Sequence, residues 1–214
     1  MKGTGDMIKN IDGIIFDLDG TLWDAVEVIF KSWREVVISH KFNNFISIEE
    51  LKGYMGKRIE DIFKKLFPDV DDKSLNIMMK ECCIKECEML KRDGARLYPY
   101  IEETLKYLYK KYPLFIVSNC QEGYIETFLE YNGFEKYFKD YECSGKTGLD
   151  KNNNIKIIMK RNKIENPVYV GDAKVDEEAS KKANIKFIYA SYGFGNVDSY
   201  DIKINSLKDL INIF

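Results

Sequence analysis

Four short apolar runs punctuate the chain: GIIFDL from Gly13, PLFIVSN from Pro113, NPVYVGD from Asn166 and KFIYAS from Lys186. Their apolar positions are successive instead of alternating, the pattern of a parallel strand covered by helices on both faces. Between the runs, apolar residues recur at helical spacing: Ile101, Thr104, Leu105 and Leu108; Ile125, Phe128 and Leu129; Ile155, Ile158 and Met159. Strands alternating with helices predict an α/β fold, a doubly wound parallel sheet.

One stretch breaks the alternation. Residues 24–96 show only helical periodicity, carried by Val26, Ile29, Phe30, Trp33, Val36 and Val37, then Ile59, Ile62, Phe63, Leu66 and Phe67, then Leu75, Met78, Met79, Cys82 and Cys83. The expected organisation is therefore an α/β core of residues 1–23 and 97–214, interrupted after its first strand by an all-helical insert, 24–96. The stripe of methionines and aromatics is read as the insert's own core. TLWDA on one side and KRDGARLYPY, with Gly94 and Pro99, on the other are the candidate hinges.

Composition narrows the partners. Thirty-three basic against thirty-five acidic residues give a formal charge of −2, which offers no footprint for nucleic acid or an anionic membrane surface. No apolar stretch approaches the roughly 18–20 residues that span a bilayer, and MKGTGDMIKNIDG lacks the apolar segment of a secretory signal. A cytoplasmic protein acting on a small soluble partner, as a monomer or small homo-oligomer, is the expectation. Five cysteines, an odd number in a chain long enough to build a core, read as reduced thiols. Cys83 and Cys87 lie four apart, but the single histidine, His40, is distant, so both are assigned to packing and His40 to the insert without a catalytic role.

Candidate chemistry collects at the ends of the runs. Ligands of open α/β sheets bind at the carboxyl ends of the strands, and there the sequence places Asp17 and Asp19, Ser118 and Asn119, and Gly171 and Asp172 with Asp176 one helical turn on. A fourth segment carries Lys146 and Lys151. Aspartates gathered at one sheet edge repel one another by about 4 kcal/mol per pair at about 4 Å and an effective dielectric of about 20. A cation is needed among them, and Mg2+ suits an all-oxygen set. Mg2+ and a lysine beside a carboxylate suit phosphoryl transfer, in which an anionic nucleophile must approach an anionic ester. One carboxylate can attack phosphorus while a neighbour moves the protons.

FDLDGTL (16–22), VSNC (117–120), a downstream lysine and VGDAKVD (170–176), in that order, resemble the motifs of the haloacid dehalogenase superfamily. The likeness is to its helical-capped members, similar to phosphoglycolate phosphatase and β-phosphoglucomutase, and it covers nearly the whole chain. It implies a Rossmann-like core with an inserted cap, and a Mg2+-dependent phosphatase acting on a small phosphorylated metabolite through an aspartyl-phosphate. By motif position, Asp17 would be the nucleophile and Asp19 the general acid/base, its backbone carbonyl also binding Mg2+. Thr21, Ser118 and the backbone of Asn119 would hold the phosphoryl group, Asp172 would ligate the metal, and Asp176 would support the metal or orient the lysine. Lys151 precedes a helical pattern as the family's lysine does and is preferred; Lys146 is the alternative, since no Lys-Pro pair is present. Lys174, inside the last motif, is assigned to solvent. GYMGKRIEDIF (53–63) resembles the cap loop that meets the leaving group, with Lys57 and Arg58 placed to greet an anion, and YGFG (192–195) a loop bordering the site. A β-phosphoglucomutase-like phosphotransferase and a non-catalytic phosphate- or Mg2+-binding module are the alternative functions.

Overall fold

The computed structural model describes residues 8, 10–42 and 45–214. The opening segment, read above as lacking a leader, therefore lies largely outside the described residues. Strand β1 (Ile14–Phe16) runs through a turn into the two-residue β2 (Trp23–Asp24). Helices α1 (Val26–Ser39), α2 (Ile48–Lys52), α3 (Ile59–Leu66) and α4 (Asp72–Asp93) follow, and β3 (Arg96–Leu97) returns antiparallel to β2, with Trp23 opposite Leu97. The chain then alternates through α5 (Ile101–Leu108), β4 (Leu114–Ser118), α6 (Tyr124–Asn132), β5 (Phe138–Cys143), α7 (Ser144–Thr147), α8 (Lys151–Asn162), β6 (Val168–Gly171), α9 (Lys174–Ala183) and β7 (Lys186–Ala190). It ends with β8 (Ile202–Ile204) and α10 (Asp209–Ile213).

Six strands form one parallel sheet in the order β5-β4-β1-β6-β7-β8. Its central strands are buried along their whole length, which explains their unbroken apolar runs. The chain leaves β1 toward β4 on one side and later crosses to β6 on the other, so a topological switch point lies at β1. Two strands escape the apolar pattern. β5 (FKDYEC) and β8 (IKI) occupy the two edges of the sheet, where one side is unpaired and charged residues are accommodated.

Between β2 and β3 the described residues hold only helices. Ser47 and Glu50 form a reciprocal capping box at the start of α2, and the Asp71 carboxylate accepts from the Ser74 N–H to open α4, which stops at Gly94 with φ +67°. Trp33 of α1 meets Phe63 of α3 edge-on at 5.1 Å, and Met78 and Cys82 of α4 are buried with them, so the stripe does build the insert's interior. All five cysteines are free thiols. No helix among the described residues is long and apolar enough to cross a membrane.

Candidate active site

The loops that leave β1, β4 and β6 meet the start of α8 at the carboxyl ends of the strands. Asp17, the residue after β1, is buried, and its Oδ1 accepts from the Lys151 ammonium at 2.9 Å. Lys151 opens α8 and is itself 2% exposed. Its second partner is Asp176 Oδ1 at 2.7 Å. The other Asp176 oxygen folds back on its own helix, accepting from the backbone N–H groups of Asp172 at 3.1 Å and Ala173 at 3.0 Å. Asp176 thus caps α9 and fixes the lysine at once, which fits the second of the two roles raised for it.

Asp172 closes the circle. Its Oδ2 accepts from the backbone N–H groups of Phe194 (2.7 Å) and Gly195 (3.3 Å), supplied by the YGFG loop, and its Oδ1 takes the Thr21 hydroxyl at 3.5 Å. Close approach of the loops requires glycine here. Gly20 lies at φ +82°, and a Cβ on Gly20 or on Gly193 would collide with Asp172.

One oxygen each from Asp17, Asp172 and Asp176 falls within 4.8 Å of the others. Among the described residues, Asp17 Oδ2 is buried with no hydrogen-bond partner. Three carboxylates around one ammonium leave negative charge uncompensated, and an oxygen-only donor set with an open position fits a hard divalent cation such as Mg2+. Burial first, then the charge of Asp176, pushes Asp17 up to about 6 against the pull of Lys151. Burial together with Asp176 and Asp17 pushes Asp172 up to about 8. Lys151 stays protonated above its ordinary range, because its two carboxylates outweigh the cost of its burial.

These shifts predict a pH dependence of stability. The folded protein holds protons on Asp17 and Asp172 to higher pH than the unfolded chain, whose aspartates titrate at their ordinary value of 3.8. Stability of the chelated protein therefore falls as pH rises from about 4 to about 8. Thermal melts in EDTA should lose melting temperature across that window, and saturating Mg2+ should flatten the decline. Parallel curves with and without Mg2+ would show that the cluster binds no cation.

Asp19 stands apart from the cluster. Its Oδ1 accepts from the Tyr124 hydroxyl at 2.8 Å, and its side chain lines a cavity between the sheet and the insert. Burial, opposed by the Tyr124 hydrogen bond and reinforced by the charge of Asp17, raises its pKa well above the carboxylate range. A carboxyl held protonated in this way can give up a proton. Ser118 and Asn119 border the same cavity. The Asn119 side chain is committed, its amide donating to the Gly56 carbonyl of the insert at 2.9 Å and its Oδ1 accepting from Ser144 at 2.8 Å, which leaves its backbone for an anion.

Other sequence candidates lie outside the carboxylate cluster. Lys146 is exposed on α7. Arg58 makes long ion pairs with Glu60 (3.5 Å) and Asp150 (3.8 Å) and lines a separate hollow with Lys57 and Lys151. Lys174 pairs with Asp198 and Glu177, and His40 bonds Glu81 at 2.6 Å. Tyr124, Gln121 and Glu86 were not among the sequence candidates, yet all line the cavity. Glu86 did leave a signal: it lies four residues after Cys82 and three before Met89, a charge on the apolar face of α4.

Comparison with known proteins agrees with this fold. The family model described as haloacid dehalogenase-like hydrolase matches residues 14–190, from the start of β1 to the end of β7. The chain belongs to the haloacid dehalogenase-like hydrolase family. It is 25% identical over 213 residues to a phosphoglycolate phosphatase of Pseudomonas fluorescens, covering 92% of this chain and 78% of that one. It is also 25% identical over 214 residues to the pyrophosphatase PpaX of Oceanobacillus iheyensis, covering 95% and 97%. A haloacid dehalogenase-like family hydrolase from Streptococcus pneumoniae shares the fold with a TM-score of 0.83 at 19% identity, covering 96% of this chain and 99% of that one. Within a haloacid dehalogenase-like hydrolase, the buried Asp17–Lys151–Asp176 triad occupies the switch point of the sheet, where such folds bind ligands.

Proposed function

We propose that this phosphatase-class hydrolase cleaves small-molecule phosphate monoesters with the help of Mg2+, through a phosphorylated Asp17. The observation that carries the reading is the buried Lys151 ammonium shared between Asp17 and Asp176, with the second Asp17 oxygen left without a partner. Asp17 and Asp172 would hold Mg2+ with the Asp19 backbone carbonyl, while Asp176 positions Lys151. When bound, the ion neutralises charge on the carboxylate and the phosphate as a Lewis acid.

An Asp17 oxygen attacks phosphorus, a P–O bond to Asp17 forms, and the ester P–O bond breaks. Asp19 gives its proton to the departing alcohol oxygen. Water then attacks phosphorus, Asp19 takes the water's proton, and inorganic phosphate leaves with the Asp17 carboxylate restored. Lys151 offsets the phosphoryl charge throughout, while Thr21, Ser118 and the Asn119 backbone hold the phosphoryl oxygens. A small phosphorylated metabolite of the cytoplasm is the matching substrate.

Hydrolysis of p-nitrophenyl phosphate tests the reading. Activity should vanish in EDTA and return with added Mg2+; turnover that persists in EDTA would contradict it.

A further inference from the structure

The same cavity contains a carboxylate for which the reaction has no use. Glu86 of α4 is 2% exposed and lines the cavity together with the core residues Asp19 and Ser118. Its Oε2 accepts from Trp33 Nε1 at 2.5 Å and its Oε1 from Gln121 Nε2 at 2.8 Å. Both partners donate, and each carboxylate oxygen can accept about two hydrogen bonds, so acceptor capacity remains on both oxygens. Among the described residues no cation pairs with Glu86. Lys57 lines the cavity, but its ammonium sits 5.3 Å from the centre of the Tyr54 ring. Burial pushes the Glu86 carboxyl up to about 7 against the hydrogen bonds of Gln121 and Trp33, the mark of a charge without a counterpart.

We propose that Glu86 selects the leaving group: the subsite takes an alcohol ending in an ammonium and rejects one ending in a carboxylate. The proposal rests on the hydrolase reading above and adds the charge of the substrate's far end. The departing alcohol would lie between Asp19 and Glu86, which line one cavity. Ile29 and Ile62 offer that alcohol an apolar wall, and Asp19 sits where its oxygen departs. An ammonium at the far end supplies the donor and the positive charge that Glu86 lacks. A carboxylate there adds to the cost of keeping Glu86 ionised, the arrangement by which sites exclude the wrong ligand.

Phosphoethanolamine and 2-phosphoglycolate match in length and differ in terminal charge. For the wild-type protein, kcat/KM should be at least about tenfold higher for phosphoethanolamine. Glu86→Gln keeps the shape of the side chain and removes its charge, and it should lower that ratio by about tenfold or more. A wild-type ratio of one or less, or a ratio unchanged in a folded Glu86→Gln protein, overturns the proposal and leaves Glu86 as a bridge between Trp33 and Gln121. Should the variant not fold, the wild-type ratio decides alone. Wild-type protein inert toward p-nitrophenyl phosphate as well as both esters would sink the hydrolase reading itself, a result distinct from hydrolysis with the wrong preference.

Discussion

Asp17→Asn should lower kcat on p-nitrophenyl phosphate by at least about a thousandfold while leaving the protein folded. An amide oxygen is a poor nucleophile, yet it has nearly the volume of the carboxylate it replaces, so the packing after β1 is kept. Lys151 retains its bond to Asp176, and the cluster loses one of its mutually repelling charges. Relief of repulsion offsets the weakened ion pair, and the melting temperature should stay close to that of the wild type. Initial rates and thermal melts on one preparation check both halves of the prediction. A variant within tenfold of wild-type activity would place the nucleophile elsewhere.

Lys151→Met should be damaging in a different way, through stability as well as turnover. Lys151, Asp17 and Asp176 are each no more than 2% exposed, so removing the ammonium strands two buried carboxylates. Breaking a buried ion pair in this manner costs about 3–5 kcal/mol. For a chain of this length that corresponds to a fall of about 6–20 °C in melting temperature. Lys146→Met, five residues earlier and exposed, should change stability by no more than about 0.5 kcal/mol and preserve activity. Melts and rates of the pair therefore discriminate between two lysines that the sequence left open, and the reverse order of effects would reassign the role to Lys146.

The sheet was legible where burial dictated composition. β1, β4, β6 and β7 sit inside the sheet and announce themselves as unbroken apolar runs, whereas β5, with Lys139 and Asp140, and β8, with Lys203, lie at its edges and read as polar segments. Asp17, Ser118, Asn119 and Asp172 could be placed together because each ends a run, and the carboxyl ends of parallel strands share one side of a sheet. Lys151 was harder, because two lysines fall in the same connection and only the inward turn at the start of α8 separates them. Tyr124 and Glu86 depend on how the insert lies over the core. No local period records which side of α4 faces the loop after β4, so a charge among cysteines and methionines was the only trace in the sequence.

The covalent step admits the most direct test. In Asp19→Asn the acid/base is gone, but p-nitrophenolate departs without a proton, so phosphoryl transfer to Asp17 proceeds while water attack stalls. Protein quenched during this reaction and reduced with borohydride should carry its modification at position 17, located by peptide mass spectrometry. No modified peptide, or a modification at Asp172 or Asp176 instead, would contradict the account.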